Sequence, residues 1–228
     1  MKIIDISGLI SERMWKYGPP FPEVKIEAKK DFMPGFGDFS YTEVNHLHVL
    51  AGTYVETPAH YVGYENSFLI ADVPLEKLVN LDCVVLHVKN LKKDEFGKEY
   101  VTVEDLEACE SAGLIKEGDA IIVDHGWGDA MWFDQGNFKM SPYFKKDAFM
   151  WLLDKKPCIL GSDTACWDNL NKPEDFFAKF YEQGILMLAE VMNLSEVPNK
   201  RVKLNILPLK LEDTCAAPCR AFIQVDDE

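Results

Sequence analysis

The sequence predicts an α/β chain built on a mixed sheet, and three observations predict it. Strand-length apolar runs recur from one end of the chain to the other. Helix signals are confined to the chain beyond about residue 100, where helix and strand alternate. Roughly the first eighty residues are instead strand-rich and broken by Pro/Gly corners, which argues against a purely parallel, doubly wound sheet.

In chain order the strand-like runs are "KIIDIS", "VKIEAK", "TEVNHLHVL", "CVVLHV", "AIIVDHG", "CILGSD", "ILMLAEV", "VKLNILPL" and "CRAFIQV". If Val44 to Leu50 is one strand, His46, His48 and Leu50 share a face. After a turn at Gly52, Tyr54 and Glu56 again share a face, and Pro58 ends that strand. Three helices are expected. In "TVEDLEACESAG", Thr102 caps, Asp105 answers three residues on, and Gly113 stops the helix. In "SPYFKKDAFMWLLDKKP", Ser141 caps with Pro142 at the first helical position. In "KPEDFFAKFYEQG", Pro173 opens and Gly184 closes. No repeat, low-complexity tract or linker interrupts residues 1–228, so a single domain is expected.

The chain has 228 residues, enough to bury a full core. A net charge of −14 repels phosphate backbones and anionic lipid, which argues against nucleic acid and membrane partners. The longest apolar runs are far too short to span a bilayer, and Asp5 interrupts the first one. A cytoplasmic address is therefore expected. The six cysteines contain no C-x-x-C and read as buried free thiols. No G-x-G-x-x-G or P-loop occurs, so nothing points to a nucleotide.

Chemistry concentrates in "HLHVLAGTYVETPAHY", His46 to Tyr61. His60 lies four residues beyond Glu56 across a Thr-Pro corner that can fold it back toward the carboxylate. A carboxylate and an imidazole so placed make a metal half-site or an acid/base pair. His48 lies two residues before Leu50, displaced by roughly 6–7 Å along a strand. His46 and His87 read as plain strand residues, and a phenol such as Tyr54 suits an oxyanion better than a cation.

The segment "LAGTYVETPAH", Leu50 to His60, resembles the signature H-x-G-T-H-x-D-x-P-x-H of the cyclase family of metal-dependent hydrolases, which includes kynurenine formamidase and isatin hydrolase. Gly52, Thr53, Pro58 and His60 match, Glu56 takes the Asp place, and Leu50 and Tyr54 replace two histidines. The likeness extends to "MWKYGPPFP", "GDAIIVDHGW", "LGSDTACWD", "GILMLAEVMNLSEV" and "LPLKLEDTCAAPCRAF". It implies a swivelling β/β/α architecture and a homo-oligomer, most simply a dimer whose partner loops help wall the pocket.

The resemblance further implies one or two divalent ions, usually Zn²⁺ or Mn²⁺. Of the implied ligands the chain keeps Glu56, His60 and Glu190. A later histidine is expected in "DFFAKFYEQG", which contains none. The first reading is thus a divergent hydrolase of a small amide, arylformamide or cyclic amide/lactone that uses metal-activated water. In it Glu56, His60, Glu190 and the candidate His48 hold the ion, His60 shuttles a proton, and Tyr54 stabilises the oxyanion. Tyr17, Trp15 and Trp127 flank the substrate, with His125 as a further candidate. Two other readings stay open: a non-catalytic binder of a small ligand that has lost its metal, and a metal-independent acid/base enzyme using Tyr54, Glu56 and His60.

Overall fold

Period-two alternation in the apolar runs sorts side chains to two faces of one sheet in the computed structural model, which describes residues 1–134 and 138–226. The strands are β1 (Lys2–Asp5), β2 (Lys25–Met33), β3 (Gly37–Asn45), β4 (Tyr54–Glu56), β5 (Leu81–His87), β6 (Lys92–Lys93) and β7 (Glu99–Val101). They continue with β8 (Ala120–Asp124), β9 (Tyr143–Phe144), β10 (Ile159–Ser162), β11 (Leu186–Ala189), β12 (Val202–Pro208) and β13 (Ala216–Val225). The helices are α1 (Ala59–Val62), α2 (Val103–Glu107), α3 (Trp127–Met131), α4 (Lys146–Asp154) and α5 (Phe177–Glu182).

An eight-stranded sheet runs β1-β13-β12-β5-β8-β10-β11-β4, and a further β13–β4 pairing closes it into a barrel-like ring. β5, β8, β10 and β11 are parallel to one another, while β4, β12 and β13 join antiparallel. The mixed sheet expected from the sequence is what forms. On β5, Cys83 and Val85 pack with Val55, Ile122, Leu188 and Ile223 inside the ring. Val84 and Leu86 face the other way, toward Phe149 and Leu152 of α4 and Phe180 of α5. A third cluster gathers Trp15, Trp127 and Trp132. All six cysteines are free thiols.

The capping box at Thr102 and Asp105 forms as expected, though α2 is short. Other boundaries differ from expectation. The strand over Val44 to Leu50 stops at Asn45, because His46 takes the left-handed conformation with φ 61°. The chain then turns, and Ala51 N–H donates to the His48 carbonyl at 3.1 Å. His46 and His48 are therefore not on a strand face with Leu50. The helix expected from Ser141 begins at Lys146, since Tyr143–Phe144 extend to pair with β7. The helix expected from Pro173 begins at Phe177, because the Asp168 carboxylate takes the Glu174 N–H and holds the preceding turn outside the helix.

β2 and β3 form a separate hairpin of nine paired positions, mostly exposed on both faces. Among the described residues no helix is long and apolar enough to cross a membrane.

Candidate active site

β4 builds the site. It is only three residues long but is paired on both edges, with β11 and with β13. That double pairing fixes its pleat: Val55 points into the ring, and Tyr54 and Glu56 point outward together. Pro58 starts α1, which brings His60 back so that its Nε2 lies 3.9 Å from Glu56 Oε2. The other ring nitrogen, Nδ1, contacts Cys215 Sγ at 3.5 Å.

A cleft of about 380 Å³ opens beside β4. Leu50, Tyr54, Glu56, His60, Tyr17 and Tyr181 line one part of it; Phe21, Phe138, Trp167, Leu170 and Phe177 supply apolar walls. A groove of about 590 Å³ near Val73, Cys158 and Ile185 holds none of the candidate residues.

The polar groups here are joined by phenols. Tyr181 donates to Glu56 Oε1. Tyr17 donates to Glu190 Oε1 at 3.1 Å, and its hydroxyl lies 3.0 Å from that of Tyr54. Glu190 follows β11 with φ 58°, and Thr53 Oγ1 donates to its carbonyl at 2.6 Å. Glu190 is 1 % exposed, and its Oε2 is buried without a hydrogen-bond partner.

Burial sets the protonation of this cluster. It pushes the Tyr54 phenol well above its ordinary value, reinforced by the charges of Glu56 and Glu190. Tyr17 is driven up by burial in the same way, as is Tyr181. All three phenols therefore keep their protons and act as hydrogen-bond donors. Burial also raises the Glu56 carboxyl, against the opposing pull of His60 and Tyr181, and lifts Glu190 well above the carboxylate range. His60 is held above its usual value by the Cys215 contact and the Glu56 charge, with burial working against them.

Of the expected site residues, Tyr17, Tyr54, Glu56 and His60 come together at the cleft, and Glu190 stands behind it through Tyr17. Trp15 and Trp127 pack in the tryptophan cluster instead. His48 leans on Phe21, ring centroids 5.1 Å apart, outside the cleft lining. His125 is turned to Asp163, Nδ1 to Oδ1 at 2.8 Å, and is also outside the lining. Asp163 accepts backbone N–H groups from His125, Trp127 and Gly128 as well, so this pair fixes the turn into α3. The sequence reading missed Tyr181 and Cys215. The signal for Tyr181 was present, since it lies in the "DFFAKFYEQG" segment where a further site residue was expected.

A divalent ion needs several lone-pair ligands converging on one point. Among the described residues no three His, Cys, Asp or Glu side chains do so. Leu50 offers no donor, and the phenols of Tyr17 and Tyr181 already occupy one oxygen of Glu190 and one of Glu56. The residues present do not fit the ion that the resemblance implies.

The fold defines the class. Similar solved structures include an isatin hydrolase bound to the product analogue thioisatinate (TM-score 0.79, 20% identity, covering 99% of this chain and 93% of that one). Isatin hydrolase A from Ralstonia solanacearum is another (TM-score 0.76, 17% identity, 99% and 92% covered). A third is described as a "predicted metal-dependent hydrolase" from Bacillus stearothermophilus (TM-score 0.71, 22% identity, 97% of each chain). At these identities the likeness shows the shared fold. A comparison with functionally curated proteins gave no match. The sequence pattern of the family described as "Putative cyclase" matches residues 4–169, and the chain belongs to this cyclase family.

Proposed function

We propose that the protein is a hydrolase of a small, neutral carbonyl compound: an amide, an arylformamide, or a cyclic amide or lactone. The observation that carries this reading is the meeting of Tyr54, Glu56 and His60 at one apolar-walled cleft. Family membership and fold neighbours that include isatin hydrolases support hydrolysis as the reaction class. The name of the Bacillus neighbour speaks for a divalent ion in that protein; the donor set of this chain speaks against carrying Zn²⁺ or Mn²⁺ across, and no step here uses one.

The chemistry follows from the donors and acceptors present. Tyr54 turns its phenolic proton to the substrate carbonyl oxygen, where negative charge develops. Glu56 accepts a proton from a water in the cleft as that water attacks the carbonyl carbon. The tetrahedral intermediate collapses with cleavage of the C–N or C–O bond, and His60 gives a proton to the leaving nitrogen or oxygen. Tyr17 holds Tyr54 in place, and the rings of Phe21, Phe138 and Phe177 bury the substrate's apolar part. This corresponds to the metal-independent acid/base reading of the sequence, with arylformamidase-like C–N cleavage as one of its substrate options.

We also propose a cytoplasmic homo-oligomer with no nucleic acid or membrane partner. The hairpin of β2 and β3 supports assembly: Phe32 and Phe36 are 63% and 74% exposed, and a lone two-stranded hairpin is at best marginally stable in water. The test of the catalytic reading is a screen of arylformamides, cyclic imides and lactones, with product identified by mass. Hydrolysis of any class by wild type, lost in Glu56→Gln, supports it; no turnover of any class contradicts it and leaves ligand binding as the function.

A further inference from the structure

We propose that this site has exchanged a cation for proton donors, so that the wild-type chain holds no catalytic divalent ion and the phenols of Tyr17, Tyr54 and Tyr181 do the cation's electrostatic work. The inference rests on the reading of the cleft as a hydrolase site and deepens it.

Three observations carry it, and each concerns side-chain identity and contact. First, two of the three positions for histidine in the Leu50–His60 signature hold Leu50 and Tyr54, and both line the cleft. A leucine presents no lone pair. A phenol, with an ordinary pKa near 10, must surrender its proton before it binds a divalent ion well. Second, the segment in which a further histidine is implied delivers Tyr181, whose hydroxyl donates to Glu56 Oε1. That bond takes one of the two oxygens Glu56 could offer a metal. Third, the Tyr17 hydroxyl stands between Glu190 and Tyr54, bonding Glu190 Oε1 at 3.1 Å and lying 3.0 Å from the Tyr54 oxygen. The carboxylates that would neutralise an ion are thus met by O–H groups at one oxygen each.

The substitutions fit one another, which random decay would not require. An imidazole traded for a phenol replaces a lone pair by a proton, and the two acidic side chains kept at the site are acceptors for such protons. A carbonyl oxygen entering the cleft meets the Tyr54 hydroxyl where a Lewis acid would otherwise stand. Donors aimed at a developing oxyanion in a water-poor site are an established alternative to a metal, and a tyrosine paired with a buried acid is a known form of that arrangement.

The experiment titrates Mn²⁺ and Zn²⁺ by calorimetry into full-length protein stripped with chelator, with thermal melts alongside. Wild type is compared with L50H/Y54H/Y181H, which puts imidazoles at the two replaced signature positions and at Tyr181, in the segment where the later histidine is implied. The wild type is expected to show no saturable binding and no metal-dependent rise in melting temperature. The triple variant is expected to bind one ion per chain and to melt several degrees higher at an ion concentration about a hundredfold over Kd. A wild type that takes up one ion per chain, with that binding lost in Glu56→Gln, overturns the proposal. So does a folded triple variant that binds no better than wild type; if the triple variant does not fold, the wild-type titration alone decides. Because ion binding is read directly, its failure is distinct from failure of the hydrolase reading, which is read by turnover.

Discussion

The hydroxyl oxygens of Tyr17 and Tyr54 lie 3.0 Å apart, tying the loop that follows β1 to the strand that carries the candidate site. Tyr17 also donates to Glu190 after β11, so one phenol connects three distant segments. With its one proton given to Glu190, Tyr17 accepts from Tyr54, which is thereby fixed at the cleft and must turn its proton away from Tyr17 to meet a substrate oxygen.

Tyr54→Phe should lower kcat by about 10²–10³ with little change in KM, since the lost bond strengthens only as charge develops. Tyr17→Phe should cost less, because it acts through Tyr54. Steady-state kinetics of both variants separate these outcomes; a change confined to KM in Tyr54→Phe would show that the phenol only binds substrate.

Glu56→Gln should reduce the rate by roughly 10²–10⁴ without lowering the melting temperature at neutral pH. The sign follows from burial, which raises the Glu56 carboxyl in the folded chain above its value in the unfolded one, about 4.3. The folded state then binds its proton more tightly, and stability falls as pH rises from the unfolded value through the folded one. Removing the charge removes that loss. A Gln variant that melts well below wild type at neutral pH would mean the carboxylate is a net stabilising partner.

A second pH dependence lies outside the cleft lining. His87 Nδ1 meets Asp124 Oδ2 at 2.6 Å, and its Nε2 meets the Val197 carbonyl at 2.9 Å. Both ring nitrogens face acceptors, so the imidazolium is favoured; the Asp124 bond leads in raising its pKa, with burial opposing. Its stabilisation is complete below the unfolded histidine value near 6.5 and is lost as pH rises through the higher folded value. Melting temperatures recorded between about pH 6 and pH 9 should fall with pH in wild type and less so in His87→Gln. Parallel curves would exclude the pair as a source of the slope.

Light scattering should report a particle of at least twice the 26.0 kDa chain mass. The exposed Phe32 and Phe36 of the hairpin give the reason. A 26.0 kDa particle at micromolar concentration would count against assembly.

Much of this architecture is legible in the residues. Continuous apolar runs announce β5, β8, β10 and β11, and the Tyr54–Glu56 face follows from period two alone. What escapes is decided by backbone geometry and by distant contacts. His46 ends β3 by adopting φ 61°, which local propensity for a non-glycine residue does not foretell. Tyr181 meets Glu56 across 125 positions of sequence, and Cys215 meets His60 across 155. Trp127 is expected beside the substrate from the family resemblance; it packs edge-on to Trp15, ring centroids 6.4 Å apart. Periodicity places a side chain on a face; it does not say which other face will meet it.

The most direct test of the account is turnover by protein dialysed exhaustively against chelator, assayed in metal-free buffer on whichever carbonyl substrate wild type cleaves. The account predicts a rate equal to that of untreated protein, unchanged by added Mn²⁺ or Zn²⁺, and reduced in Tyr54→Phe. Activity that disappears on chelation and returns with either ion would contradict it.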